Sequence, residues 1–431
     1  MRRRVPGLAL AFGIVAIGVM AARSHAQGFV EHIEPPAVER GKTTRVTVVG
    51  TGLGKALDLW SSLPPGLLRA VPVGEGNAER AVFDVTVAAN APVGVCGMRL
   101  ATVDGLGNAS LLLVDDLPVR AAPVGDTAAP VALPAALWGR FREAAVDRFA
   151  IHVNAGQRVS FEAVGNRLGK DVDPLVVLRD ASGHVVAERD NDPGLYFDCR
   201  FEHPFTTAGT YVVEVRDARY HGSEHGFYVL RIGRFPAARV AVPTSVRAGQ
   251  RAELRLPELA DSSVELDVPA APAPGLFFAA LRRPGDEGSA WLPLEATGAD
   301  VTVHRPSGDK IEQATSAKLP GRLCGVLRQP GERHFFRLDL AKGQKIQVRA
   351  ETRAFNSPAD LELAITDTAG KELRRISENP QEEIVLDFAT GNPGVYGLRV
   401  RDLNRDGGPA FAYSLEVRTG QPQVQISAEV E

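Results

Sequence analysis

The sequence predicts an all-β protein of four tandem domains, in which two larger antiparallel β-sandwiches alternate with two smaller strand-rich domains. Three observations predict it. The phrase "GTYVVEVRD" at 209–217 returns as "GVYGLRVRD" at 394–402, 185 residues later. Around both copies apolar and polar residues alternate: Val159, Phe161 and Ala163 against Arg158, Ser160 and Glu162, and Tyr211, Val213 and Val215 against Val212, Glu214 and Arg216. That is the period of half-buried strands. Finally, 43 Gly and 30 Pro among 431 residues fit a chain of many turns, and neither copy holds helical spacing of apolar residues through three turns.

Taken in chain order, the first residues read as an address. Arg2, Arg3 and Arg4 precede an uncharged run from Val5 to Ala22, and Ser24 and Ala26 occupy the small-residue positions of a signal-peptidase site, so a signal peptide over 1–26 and export to the periplasm or the extracellular space are expected. The alternative, a membrane anchor, meets Pro6 and Gly7 in a run that is short for a span of about 20 residues. No second run of that kind follows, so no membrane span is expected in the mature chain.

Residues 28–117 open with "PAVERGKTTRVTVVG", which has a counterpart in "PTSVRAGQRAELRL" at 243–256. In both, a Val precedes Gly by three and apolar residues follow it at five and seven. A small strand-rich domain is therefore expected at 28–117 and another at 236–312, with 118–130 as a connector and 420–431 as a polar tail. The large repeats, 131–235 and 313–419, share Leu-Pro, Gly139 with Gly325, Phe149 with Phe336, Gly156-Gln157 with Gly343-Gln344, and "DASG" with "DTAG". Asp in those turns bonds its own backbone and Gly supplies positive φ. Superposed, the two copies should pair Tyr211 with Tyr396 and Tyr228 with Tyr413.

This pattern of Leu-Pro, Gly, a Phe strand, "AGQ", "DP", an acidic cluster and then "GTYVVEVRD" and "YVLRIG" resembles the bacterial pre-peptidase C-terminal domain, a jelly-roll-like sandwich appended to many secreted proteins, which implies two jelly-roll-like domains alternating with two smaller Ig-like domains. The first small domain, with "VTVVGTGLG", looks like an immunoglobulin-like TIG fold. The whole is similar to exported multi-domain proteins of planctomycete-type bacteria. With no catalytic motif in the sequence, a non-catalytic binding, adhesion or scaffold role in the cell envelope is expected, with a glycan, a peptide or an envelope protein as partner; the alternative, which the resemblance implies because similar domains accompany secreted peptidases, is an accessory subunit of a secreted hydrolase, or such a hydrolase itself.

Several motifs invite a chemical reading. "GTGLGK" at 50–55 lacks the spacing and the following helix of a phosphate loop and reads as a turn, so no nucleotide is expected. "HGSEH" spaces His221 and His225 by four, but between glycines rather than on a helix, and "NRDGGPA" in the second copy has no His; a solvated loop is expected. No nucleophile elbow appears. Cys96, Cys199 and Cys324 are an odd, sparse set in three different segments, expected as buried unpaired thiols. Lys and Arg number 49 against 52 Asp and Glu, for a net charge of −3, with no basic stripe for nucleic acid.

The strongest constellation is acidic. Asp173 precedes a strand, "RDNDPG" supplies Asp190, Asn191 and Asp192, and Asp198 follows six residues after Asp192. Calcium takes six to eight hard oxygens, which closely spaced Asp and Asn can provide; the resemblance points the same way, since acidic loops of similar domains are associated with calcium. The competing reading is that these residues form turns at strand ends. In the second copy the corresponding stretch has Glu378, Asn379 and Glu383, with Pro380, so calcium is expected to favour the first.

Overall fold

The computed structural model describes residues 28–125, 127–270, 275–306, 311–377 and 384–420. The expected signal segment and most of the tail lie outside the described residues, as do Glu378, Asn379, Pro380 and Glu383. Among the described residues the only helices are single turns of 3-10 type, and none is long and apolar enough to cross a membrane.

The two large repeats fold alike. In the first, one sheet orders strands Ala129–Pro130, Asp147–Val153, Gly209–Asp217, Pro174–Arg179 and Val185–Arg189; the second orders Thr315–Ser316, Arg333–Leu340, Gly394–Asp402, Leu361–Thr366 and Glu372–Ser377 in the same sequence. The opposing sheets also match, running Val119–Ala121, Ala135–Arg140, Phe227–Gly233, Arg158–Val164, Cys199–Pro204 in one copy and Asp300–Val303, Gly321–Val326, Ala412–Thr419, Lys345–Glu351, Val385–Ala389 in the other. Tyr211 and Tyr396 each donate to the carbonyl four residues earlier, Thr207 at 3.1 Å and Asn392 at 2.7 Å. Inward residues of both sheets make each core; Phe149, Phe161, Val213 and Leu230 in the first correspond to Phe336, Val348, Leu398 and Leu415 in the second.

The expected boundaries shift ahead of both sandwiches. Val119–Ala121 runs parallel to Ala135–Arg140 and Ala129–Pro130 parallel to Asp147–Val153, so both ends of the expected connector are strands of the sandwich rather than a tether. Asp300–Val303 and Thr315–Ser316 do the same for the second copy. A sheet edge presents unpaired N–H and C=O groups, and the incoming chain satisfies them before it turns into the first full strand.

The first small domain packs two four-stranded sheets around Val46, Phe83, Val85, Met98 and Leu112. "GTGLGK" is a turn between Thr43–Thr51 and Ala56–Ser61, with Gly52 and Gly54 at φ +62° and +54°. The second small domain is reduced to a three-stranded and a two-stranded sheet, but it retains its own core of Leu254, Leu256, Leu292 and Leu294. It also keeps one pairing of the first: Ser245–Arg247 runs parallel to Ala290–Thr297, as Ala37–Glu39 does to the end of Gly105–Asp115.

The domains are not strung loosely. Ala37, Val93 and Leu113 of the first small domain, Ala136, Val164, Val229 and Phe235 of the first sandwich, and Trp291 of the second small domain form one buried apolar cluster. Beside it, three guanidiniums meet three carboxylates. Glu162 accepts from Arg167 at 2.9 Å, Arg200 at 2.5 Å and Arg231 at 2.7 Å. Arg231 also grips Asp115 of the first small domain with bonds of 2.7 and 3.0 Å and donates to the Ser289 carbonyl of the second at 2.8 Å. Arg167 continues to Asp198 and lies 4.5 Å over the Trp291 ring. Charges buried this completely persist only when each is paired and bonded, so the network joins three domains in one geometry.

Candidate ligand groove at the first domain junction

Strand Ala135–Arg140 carries the candidate site. Its Leu137 faces the core, while Trp138 and Arg140 lie on the outer face, paired in register with Val229 and Phe227 of the next strand. Gly139 has no side chain because the Tyr228 ring occupies that space; a Cβ would sit 2.5 Å from the tyrosine oxygen. Ala136 is covered by the first small domain, which leaves Trp138 half-buried where the cover ends.

There a groove of about 540 Å³ opens, floored by Trp138 and Phe227 and rimmed by Glu34 of the first small domain, Arg140, Arg142, Glu143 and Glu224. The loop bearing Glu224 is seated by Gly222, where a Cβ would fall 2.1 Å from the Glu143 nitrogen, a backbone contact only glycine permits. Asp147, at the base, is committed: one oxygen accepts from Arg142 at 2.8 Å and the other from Tyr228 at 2.6 Å. Burial and the facing Asp147 push the Tyr228 phenol well up, so it stays a donor.

Beside the groove, His225 meets His32 of the first small domain, Nδ1 to Nδ1 at 3.0 Å, and Phe227 touches both sites, 5.1 Å from the His32 ring. Burial, then His225 and Lys170, lower the His32 pKa to about 4. The "HGSEH" loop thus contributes Glu224 to the groove and His225 to an imidazole pair whose other member lies 193 positions away. Spacing within the loop gives no sign of that partner. His221 stays exposed, its N–H bonded to Asp217.

The five acidic-loop residues do not converge on one point. Asp198 is buried with both oxygens filled, by the N–H groups of Gly165 and Asn166 at 2.8 and 2.7 Å and by Arg167 backbone and side chain at 3.1 and 2.7 Å. A carboxylate so saturated has no lone pair directed at an ion. Asp192 accepts from the Arg200 N–H at 2.6 Å. Asn191 takes φ +47° in the turn. Pro193 and Gly194 instead press on other domains, the Pro193 carbonyl accepting from Arg239 and Gly194 lying against the Asn356 backbone of the second sandwich. Only Asp173 and Asp190 come together: burial and then Asp190 raise the Asp173 pKa, and one Asp173 oxygen is buried without a protein partner. In the first sandwich the acidic loop is therefore chiefly a domain contact and a strand-end turn. The three cysteines are free and buried, and burial drives the Cys96 thiol up to about 12.

Compared with known proteins, the chain matches no protein-family description and no curated sequence. Among solved structures, it is similar to the pre-peptidase C-terminal domain of a Bacillus anthracis collagenase, at 15% identity over 26% of this chain and 98% of that one, with a TM-score of 0.21. It is also similar to PliG of Aeromonas hydrophila, a periplasmic inhibitor of g-type lysozyme, at 11% identity over 28% and 98% of the two chains and a TM-score of 0.20. Across 88% of its length it is similar to 72% of SGBP-B from the mixed-linkage glucan utilisation locus of Bacteroides ovatus, solved with a heptasaccharide, at 10% identity and a TM-score of 0.19. At these scores the likeness carries no functional information.

Proposed function

We propose that the protein is an exported, non-catalytic binding protein that holds a glycan in the groove between its first small domain and first sandwich. The observation that carries this reading is the half-buried Trp138 on the groove floor, ringed by Arg140, Arg142, Glu34, Glu143 and Glu224. A sugar ring offers an apolar C–H face and a rim of hydroxyls; the first stacks on an indole, and the second bonds to guanidinium forks and carboxylates. A groove of this volume suits a small ligand or a few rings of a longer chain. Its walls come from two domains locked together by Arg231 and Asp115, so little ordering remains to be done on binding. Export rests on the Arg2–Arg4 cluster, the apolar run and Ala26.

The test is isothermal titration of the mature chain against soluble glucans, xylans and peptidoglycan fragments, with peptides of similar length in parallel. Binding of a glycan without its turnover, weakened about 30-fold or more by Trp138→Ala in a folded variant, is the expected result. Peptide binding in place of glycan binding, hydrolysis of the bound glycan, or indifference to Trp138→Ala would each overturn it.

A further inference from the structure

We propose that His32 and His225 bind one divalent transition-metal ion of the zinc class across the junction between the first small domain and the first sandwich, with Glu31 as the third member of the site. The site is separate from the glycan groove and does not depend on it.

One ligating atom from each of the three residues lies within 4.8 Å of the others. The two Nδ1 atoms are 3.0 Å apart. Two nitrogens bound to one tetrahedral zinc at about 2.0 to 2.1 Å are about 3.3 Å apart, so the pair needs to open by only a few tenths of an ångström. As they stand, one Nδ1 carries the hydrogen that the other accepts; on binding, that proton moves through solvent to the Nε2 of its own ring, and the ion takes both Nδ1 lone pairs. The Glu31 carboxylate approaches the other nitrogen of His225, Nε2, at 4.0 Å. A carboxylate on that side favours the tautomer with its proton on Nε2, as a hydrogen-bond acceptor for that N–H, and so leaves Nδ1 free to bind metal.

Access suits an ion. His32 is anchored in strand Phe29–Glu34 and is buried, whereas His225 and Glu31 reach solvent, leaving open positions for water on a bound ion. Lys170, whose Nζ lies 3.4 Å from the Glu31 carbonyl, and Arg140 and Arg80, which also act on His32, oppose a further positive charge. Their repulsion makes this an exchangeable site rather than a permanently loaded one.

The experiment uses the full mature chain, stripped with chelator, titrated with zinc chloride and read by calorimetry, and separately with cobalt(II) read by visible absorption. Expected are one ion per chain, imidazole-ligand absorption with cobalt, and a raised melting temperature with zinc. His225→Ala, a change at an exposed residue, abolishes the ion and the shift while leaving the circular dichroism unchanged. Glu31→Gln weakens binding about 10-fold or more, and His184→Ala, at an exposed histidine elsewhere, changes neither. Absence of a stoichiometric ion, or binding that survives His225→Ala, overturns the proposal.

Discussion

Glu162 and Arg231 face each other on adjacent strands of the first sandwich, joined at 2.7 Å, and the second sandwich holds Arg349 and Glu416 at the same two positions with the signs exchanged. The exchange follows the neighbour. Arg231 receives Asp115 from the first small domain, whereas the Glu416 side binds Arg322, which also takes Glu295 from the second small domain. Each sandwich is thus charged to accept its own small domain, since Asp115 set against Glu416 would be a like-charge contact.

Removing the charge of Glu162 takes a partner from three buried guanidiniums and leaves Arg200 with no carboxylate, while Arg167 keeps Asp198 and Arg231 keeps Asp115. Glu162→Gln should cost about 3 to 5 kcal/mol, the range for breaking a buried pair from one side. Because the network spans three domains, the loss appears as an earlier denaturant midpoint for all three together, seen by comparing Trp fluorescence near Trp291 with far-ultraviolet dichroism. A shift confined to one probe would show that the domains unfold apart.

The acid limb of stability has a definite sign. Burial raises the Glu162 carboxyl, but Arg200, Arg167 and Arg231 outweigh it and the net displacement is well below 4.5; Asp116 is also lowered, with Ser289 and Arg231 overcoming its burial. Stability from such groups is whole above their unfolded values and is lost as pH falls through the folded ones. Asp173 and Asp192, raised first by burial, act the other way: their contribution is present below 3.8 and lost as pH rises through the raised values. The lowered groups bind three-domain partners, so the melting temperature should hold from about pH 7 to 5 and fall below about 4.5, with a shallower fall in Glu162→Gln.

Gly139 and Gly325 are matched because Tyr228 and Tyr413 fill the space a side chain would take. Gly139→Ala should destabilise by about 1 to 3 kcal/mol through overpacking, and more if the Tyr228 bond to Asp147 is lost with it. Gly156→Ala, at φ +79° with open space around it, should cost only the backbone penalty of about 1 to 2 kcal/mol. Urea denaturation of the two variants side by side decides between crowding and backbone strain.

Calcium, if it acts on the first sandwich, acts through Asp173 and Asp190. In calcium-free buffer Asp190→Asn should raise the melting temperature by relieving the repulsion on Asp173. Any calcium-induced rise should disappear in Asp190→Asn and persist in Asp192→Asn. Asp198→Asn should destabilise equally with and without calcium, because its four donors are protein groups. A calcium response that needs Asp198 would contradict this geometry.

The strands, the duplication and the buried thiols were legible in the sequence because their causes are local: alternation that puts Val213 and Leu398 inward, and Asp and Gly that set the turns at 180–183 and 367–370. What only the tertiary structure decided is where the charged and titratable groups go. The acidic loop looked like an ion cradle, yet Asp198 turned inward to Arg167 and Pro193–Gly194 outward to a neighbouring domain; His225 looked like part of a solvated loop, yet met His32. The physical reason is that a strand needs only its own alternating residues to choose a face, whereas a buried charge or an imidazole takes its state from whichever distant group desolvates and pairs with it, and here those groups arrive from other domains.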